Sequence, residues 1–309
     1  MEPITSLKDE LNERSGFHIW WRLLRPHTLT ASIIPVFVGT MFALTTHQIN
    51  MWLFAAMLLA SILIQSATNM FNEYYDFVRG LDNEQSVGIG GTIVRDGISP
   101  KTVKTMAFAF FGIAILLGVF ISIESSWWIA VIGLICMLFG YLYTGGPFPI
   151  AYTPFGELFS GFFMGTVIIG ISYYIQTSVI TSSVIWLSVP IAIFIGGIMM
   201  SNNIRDLDGD KENGRKTIAI LLGRKNAIRF LAFMFITAYL LTGLYIVSDV
   251  LPVWSVIAFL SAIKASDVIR KFHGKTKPLE MMPAMAATGK TNTIYGFLLG
   301  LSLLVSNFF

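Results

Sequence analysis

Apolar runs of membrane-spanning length recur along this chain, at about 28–47, 51–72, 105–123, 127–144, 155–176, 184–203, 228–247, 251–268 and 291–308. A helix needs roughly 20 apolar residues to cross a bilayer. The pattern therefore predicts an all-α, polytopic membrane protein with about nine transmembrane helices. Only 13% of the residues are charged, against about 25% in a soluble domain. Residues 1–16 are polar and mixed in charge, without the basic-then-apolar order of a cleaved signal peptide. They read as a tail, and 17–309 as a single transmembrane domain. The one cysteine, Cys136, lies in an apolar segment and excludes a disulfide framework or a cysteine-built zinc site.

The basic residues orient the chain. With nine helices, one side receives the N-terminus and the loops after even-numbered helices. All 21 Lys and Arg fall on that side, and the opposite side carries only Glu124 and Asp249. The positive-inside rule then places the N-terminus and the polar loops in the cytoplasm. Trp127 and Trp128 open the fourth helix on the outer side and read as an interfacial aromatic belt. Met281-Met282-Pro283-Ala284-Met285 reads as packing, with cavity lining as the alternative.

Two polar clusters interrupt the cytoplasmic ends of helices. The denser runs from Asn202 to Lys216, directly after the apolar run Trp186 to Met200. Charge at a bilayer edge is costly and marks a functional site by default. On a helix, Asn202, Asp206 and Asp210 share one face. Carboxylates on neighbouring turns repel each other unless a cation sits between them, and a hard divalent ion suits such oxygens. The other cluster closes the second helix, where Asn69, Asn72 and Asp76 share a face and Asp82 follows Gly80 in a loop. Two acidic clusters facing each other across a cavity could hold more than one Mg²⁺ and bridge it to a diphosphate. The bland alternative is a pair of solvated helix ends with ordinary caps and ion pairs.

At these residues the chain resembles the UbiA superfamily of intramembrane prenyltransferases, whose aspartate-rich motifs have the forms NxxxDxxxD and DxxxD. Asn72 to Asp76 and Asp206 to Asp210 match them. Asp82 stands six positions after Asp76, where the commonest form has four. Further stretches resemble the branch that prenylates 1,4-dihydroxy-2-naphthoate: Arg25-Pro26-His27-Thr28-Leu29, Tyr143-Thr144-Gly145-Gly146-Pro147, Gly156-Glu157, Asn203-Ile204-Arg205-Asp206 and Gly214-Arg215-Lys216-Thr217.

The resemblance implies nine helices around a central cavity, in the cell membrane, with the active site facing the cytoplasm. It implies a Mg²⁺-dependent transfer of a polyprenyl group from its diphosphate to the naphthoate, giving demethylmenaquinone with loss of CO₂ and diphosphate. Asn72, Asp76, Asp82, Asp206 and Asp210 are the implied metal residues, with Asp76, Asp206 and Asp210 catalytic. Arg25, Arg79, Arg95, Arg205 and Lys216 are candidates for diphosphate, Arg95 from the flexible stretch Gly90 to Arg95. Each could instead anchor to lipid headgroups. Tyr143 and Glu157 are candidates for the aromatic substrate, although an acid at the start of a helix is also favoured by the dipole.

Other readings stay open. A relative of the same superfamily could use 4-hydroxybenzoate, a haem vinyl group or a glycerol phosphate as acceptor. An ion-coupled transporter could use the acidic clusters as cation sites, but such sites usually lie near the bilayer midplane. Gly289-Lys290-Thr291 lacks the preceding strand and glycine of a nucleotide-binding loop, and nothing in the basic loops points to nucleic acid.

Overall fold

The computed structural model describes residues 16–82 and 91–308. The tail expected over 1–16 and Gly90 of the stretch before Arg95 therefore fall outside the described residues, apart from Gly16. Helix α1 (Phe17–Leu24) meets α2 (Pro26–Leu44) at Arg25, which holds a left-handed φ of 52°. The two helices bend by 60° there. Pro26 opens α2, where its missing N–H costs nothing.

The other helices are α3 (Met51–Val78), the single turn α4 (Thr92–Arg95), α5 (Pro100–Glu124), α6 (Trp127–Leu142) and α7 (Gly156–Thr177). Then come α8 (Ser182–Arg205), α9 (Leu207–Glu212), α10 (Ile218–Leu222), α11 (Arg224–Val247), α12 (Ala262–Phe272) and α13 (Pro278–Val305). Side-chain oxygens of Asn50, Ser126 and Thr181 cap α3, α6 and α8, accepting otherwise unpaired first-turn N–H groups.

Helical backbone occupies all nine apolar runs, with a π-helical stretch, Gly161–Val167, inside α7 and two further departures. The eighth run begins as a 3₁₀ segment, Val253–Ser261, and becomes α-helical only at Ala262. The last helix starts at Pro278, well before the apolar run at 291. Among the described residues, α3, α5, α7, α8 and α11 are long and apolar enough to cross a membrane on their own, and the bent α1–α2 pair makes a sixth. Trp127 and Trp128 project outward at the start of α6, as a belt requires.

The helices close on themselves. α3 packs on α2, α5 and α6; α2 lies against α7 and α13; α8 lies against α7, α11 and α13. Close approach needs small residues, the usual device where water provides no drive between helices. A Cβ on Gly165 of α7 would lie 2.6 Å from the Ala192 Cα of α8, and one on Gly39 of α2 would lie 2.6 Å from the Ile169 carbonyl.

The ring encloses a cavity of about 440 Å³ between α2, α3, α5, α6, α7 and α8. Along α3 it runs from Asn72 to Met57, roughly 22 Å at 1.5 Å per residue. Its walls are apolar, and its polar end is marked by Arg25, Asn69, Asn72, Tyr143 and Asn202.

Candidate active site

The end of α3 is pinned before it reaches the polar end of the cavity. Phe71 is fully buried and meets Phe108, Phe111 and Tyr141 edge-on at 5.1, 5.3 and 5.2 Å. Such pairs contribute about 0.5–1.5 kcal/mol each beyond burial. They fix α3 against α5 and α6, and so aim the next turn. Asn69 donates to the Leu24 carbonyl at 3.0 Å and to Thr28 Oγ1 at 2.9 Å, bracing the α1–α2 bend. Asn72 Oδ1 accepts from Thr144 Oγ1 at 2.7 Å.

Beyond Val78 the chain reverses through Gly80 at φ 76°. The N–H groups of Leu81 and Asp82 both return to the Asp76 carbonyl, at 2.9 and 3.2 Å. Asp82 thus curls back as its loop position requires, within electrostatic reach of Asp76.

The second cluster does not sit on one straight helix. α8 ends at Arg205, and Asp206 (φ −91°, ψ 6°) joins it to α9. The four-residue repeat survives the break, because the Asp206 N–H still reaches Asn202 O at 3.0 Å and the Asp210 N–H reaches Asp206 O at 2.9 Å. Gly214, at φ 78°, then turns the chain so that the Arg215 N–H bonds the Asp210 carbonyl at 3.0 Å.

Arg215 joins the two clusters. Its Nη1 lies 3.0 Å from Asp210 Oδ1 and its Nη2 lies 2.8 Å from Asp76 Oδ1. The ring of Tyr152 backs this guanidinium at 5.1 Å and that of Arg79 at 5.5 Å. Aspartates 134 positions apart in sequence are thereby held at one point beside the cavity. Burial and the neighbouring carboxylates of Asp206 and Asp76 push Asp210 up to about 6, against the pull of Arg215. Asp206 is gripped by its neighbour Arg205, at 2.7 and 2.5 Å.

The remaining predicted residues divide. Arg25 lines the cavity and approaches Glu73 at 4.0 Å. Arg79 donates to the carbonyls of Thr144 and Gly146, the latter at 2.9 Å. Arg205 is committed to Asp206, and also touches Met282 and Met285 Sδ at 3.4 and 2.8 Å. Lys216 is exposed, and its N–H bonds the Tyr152 carbonyl at 3.0 Å. Arg95 is exposed at the end of α4. Tyr143 lines the cavity and hydrogen-bonds Ser160. Glu157 is buried, accepts from Asn203 at 2.8 Å, and keeps a second buried oxygen without a partner. Met285 lines a second cavity, between α2, α8 and α13.

Two residues that sequence reasoning left without a role stand out. Arg215 is one. Glu73 is the other: fully buried, it accepts from Thr92 Oγ1 and from the Ile93 N–H at 3.1 Å, tying α4 to α3. Its position between Asn72 and Asp76 was the only signal.

Among the described residues, no three His, Cys, Asp or Glu side chains are gathered as a ready-made metal cage. Arg215 and Arg205 occupy the carboxylates instead. The donor set is nonetheless all oxygen, and it lies where a diphosphate could share a cation, the arrangement Mg²⁺ prefers over an all-protein cage.

Residues 32–304 match the UbiA prenyltransferase family. A 1,4-dihydroxy-2-naphthoate octaprenyltransferase from Bacillus subtilis is 54% identical over 94% of this chain and 93% of its own length. A protein of the same name from Mycobacterium tuberculosis is 28% identical over 89% of this chain and 93% of its own. A UbiA homolog from Archaeoglobus fulgidus bound to GPP and Mg²⁺ shares the fold with a TM-score of 0.65 at 17% identity, covering 93% of this chain and 99% of that one. One from Aeropyrum pernix gives 0.68 at 17%, covering 91% and 98%. Fold, paired aspartate clusters and sequence agree: this chain is a multi-pass membrane protein of the UbiA prenyltransferase family.

Proposed function

We propose that this protein transfers a polyprenyl group from polyprenyl diphosphate to 1,4-dihydroxy-2-naphthoate, giving demethylmenaquinol, the reduced form of demethylmenaquinone, with release of CO₂ and diphosphate. The observation that carries the reading is the meeting of Asp76 and Asp210 on Arg215, one helical turn beyond Asn72, which lines the polar end of an apolar cavity. The activity named for the Bacillus subtilis relative supports the choice of acceptor. In this reading all nine helical segments cross the cell membrane and the aspartates face the cytoplasm.

Asn72, Asp76, Asp82, Asp206 and Asp210 would hold Mg²⁺. When bound, the metal supplies positive charge that stabilises the departing diphosphate. Arg215, released from its carboxylates, would contribute donors to the same oxygens, with Arg25 and Arg79 nearby and the exposed Arg95 and Lys216 as further candidates. The allylic C–O bond breaks and its electron pair leaves with the diphosphate. The apolar walls keep water from the allylic cation. The ring carbon bearing the carboxylate attacks, and the electrons of the ring–carboxylate bond return to the ring as CO₂ departs. Tyr143, which lines the cavity, and Glu157, whose second oxygen is buried without a partner, would orient the acceptor's hydroxyls.

Purified protein with a polyprenyl diphosphate, the naphthoate and Mg²⁺ should release CO₂ and diphosphate in equal amounts. Folded protein that releases neither would sink the reading, and turnover with 4-hydroxybenzoate but not the naphthoate at fixed donor would point to a different acceptor.

The raised Asp210 adds a pH prediction. Its folded-state value near 6 lies above the ordinary carboxylate value of 3.8, so between these pH values the folded carboxyl carries a proton that must leave before metal can bind. Apparent Mg²⁺ affinity should weaken as pH falls through about 6, as Mg²⁺ titrations of activity at several pH values would show. An affinity flat from pH 5 to 8 would remove Asp210 from the metal set.

A further inference from the structure

The ion pairs of Arg215 cannot be what aims it during the reaction. Its Nη1 and Nη2 donate to Asp210 and Asp76 at 3.0 and 2.8 Å, and its Nε is buried without a partner. In the proposed transfer both carboxylates turn to Mg²⁺ when the donor binds. The guanidinium then loses the groups that orient it just as its own donors are needed. What remains beside it is the ring of Tyr152, whose centroid is 5.1 Å from the guanidinium carbon.

That ring is held from several directions. Tyr152 ends a 3₁₀ turn, Ile150–Tyr152, which follows Pro149. Thr153 Oγ1 closes the turn by donating to the Ile150 carbonyl at 2.7 Å. The Ala151 N–H bonds the Tyr143 carbonyl at 2.9 Å, which fastens the turn to the end of α6. The Tyr152 carbonyl accepts from the Lys216 N–H at 3.0 Å, which fastens it to the residue after Arg215. Arg79, whose donors go to the carbonyls of Thr144 and Gly146, lies 5.5 Å from the same ring and 5.2 Å from that of Tyr75 on α3. One ring therefore serves a guanidinium from each polar cluster.

A ring suits this place better than a carboxylate. Its quadrupole attracts a guanidinium held over it, yet it carries no net charge. It does not compete for the metal, and it does not repel a diphosphate. We propose that Tyr152 is a positioning residue: its ring keeps Arg215 aimed at the diphosphate oxygens once Asp76 and Asp210 turn to Mg²⁺. The proposal rests on the prenyltransferase reading. The role belongs to the ring and not to the hydroxyl, and it acts through Arg215.

Binding of inorganic diphosphate with Mg²⁺ to the full-length protein, followed by calorimetry in detergent, reads this role without turnover. Tyr152→Leu should weaken binding by about five- to thirtyfold, the range a desolvated contact of this kind supports, and lower kcat by a similar factor. Tyr152→Phe should keep both within about twofold of the parent. A trifluorinated phenylalanine at the same position keeps the shape of the ring and removes its negative face. It should bind at least about threefold more weakly than the Tyr152→Phe protein. On an Arg215→Ala background, Tyr152→Leu should change binding by less than about twofold, because the partner it acts through is gone. The main-chain bonds of the turn are common to every variant, and the fluorinated ring tests the proposal even if the leucine variant does not fold.

Leucine and fluorinated variants that bind diphosphate as tightly as the parent would overturn the proposal. So would a loss from Tyr152→Leu that persists undiminished without Arg215, since the ring would then act as packing alone. A parent that transfers prenyl groups but is indifferent to the ring keeps the reaction and loses the positioning. A parent whose diphosphate binding follows the ring but which transfers nothing keeps the positioning and loses the reaction.

Discussion

Asp76→Asn should lower kcat by about 10³-fold with little change in the apparent stability of the metal-free protein. Losing one preorganised charge contact at a developing anion costs roughly 10²–10³ in rate, and loss of a metal-binding carboxylate belongs at the upper end. Folding should be spared because asparagine keeps an acceptor oxygen for Arg215, which now sits 2.8 Å from Asp76 Oδ1. The long-range aromatic contacts of Phe71, which set the direction of this turn, are untouched. Steady-state rates at saturating donor and a thermal melt in detergent separate the two effects. Turnover within a few-fold of the unsubstituted enzyme would exclude Asp76 from the metal site. It would also leave the convergence of the two clusters as no more than an ion-pair network.

Much of this arrangement is legible in sequence because it is local. Apolar length predicts helices, and Asn72 with Asp76 are one helical turn apart wherever the helix lies. The repeat Asn202, Asp206, Asp210 is legible in the same way. The break at Asp206 is not, since no proline or glycine marks it and the four-residue backbone bonds run through it. The last helix starts earlier than its apolar run because the residues before 291 pack in the core with polar neighbours: Thr288 is buried against Ser201.

The role of Arg215 is illegible for a different reason. It contacts a carboxylate 139 positions away, and the contact depends on the turn at Gly214 and on the Tyr152 carbonyl receiving the Lys216 N–H. Glu73 likewise acquires meaning only when α4 folds onto it. Local spacing announces which side chains could do chemistry. Which cation stands between them is decided by tertiary approach.

Arg215→Ala should destabilise the metal-free protein by roughly 3–5 kcal/mol, the usual cost of removing one partner from a buried ion pair. The Arg215 side chain is 13% exposed and leaves behind Asp210 at 8% and Asp76 at 21%, so solvent does not carry the repulsion away, and the cost falls either as repulsion or as proton uptake by Asp210, already raised to about 6 with Arg215 in place. Mg²⁺ should restore much of this loss. A ligand at one hundred times its dissociation constant adds about 2.7 kcal/mol, and in the variant it meets carboxylates that no guanidinium contests. The melting temperature of Arg215→Ala should therefore rise more with Mg²⁺ than that of the unsubstituted protein, while kcat stays depressed by roughly 10²–10³-fold for want of the diphosphate contact. Arg215→Lys should recover little of either, because a single ammonium cannot bridge two oxygens as the planar fork does. An Arg215→Ala protein whose melting responds to Mg²⁺ no more than the parent would mean that Asp76 and Asp210 are held together for structure alone, and the metal lies elsewhere.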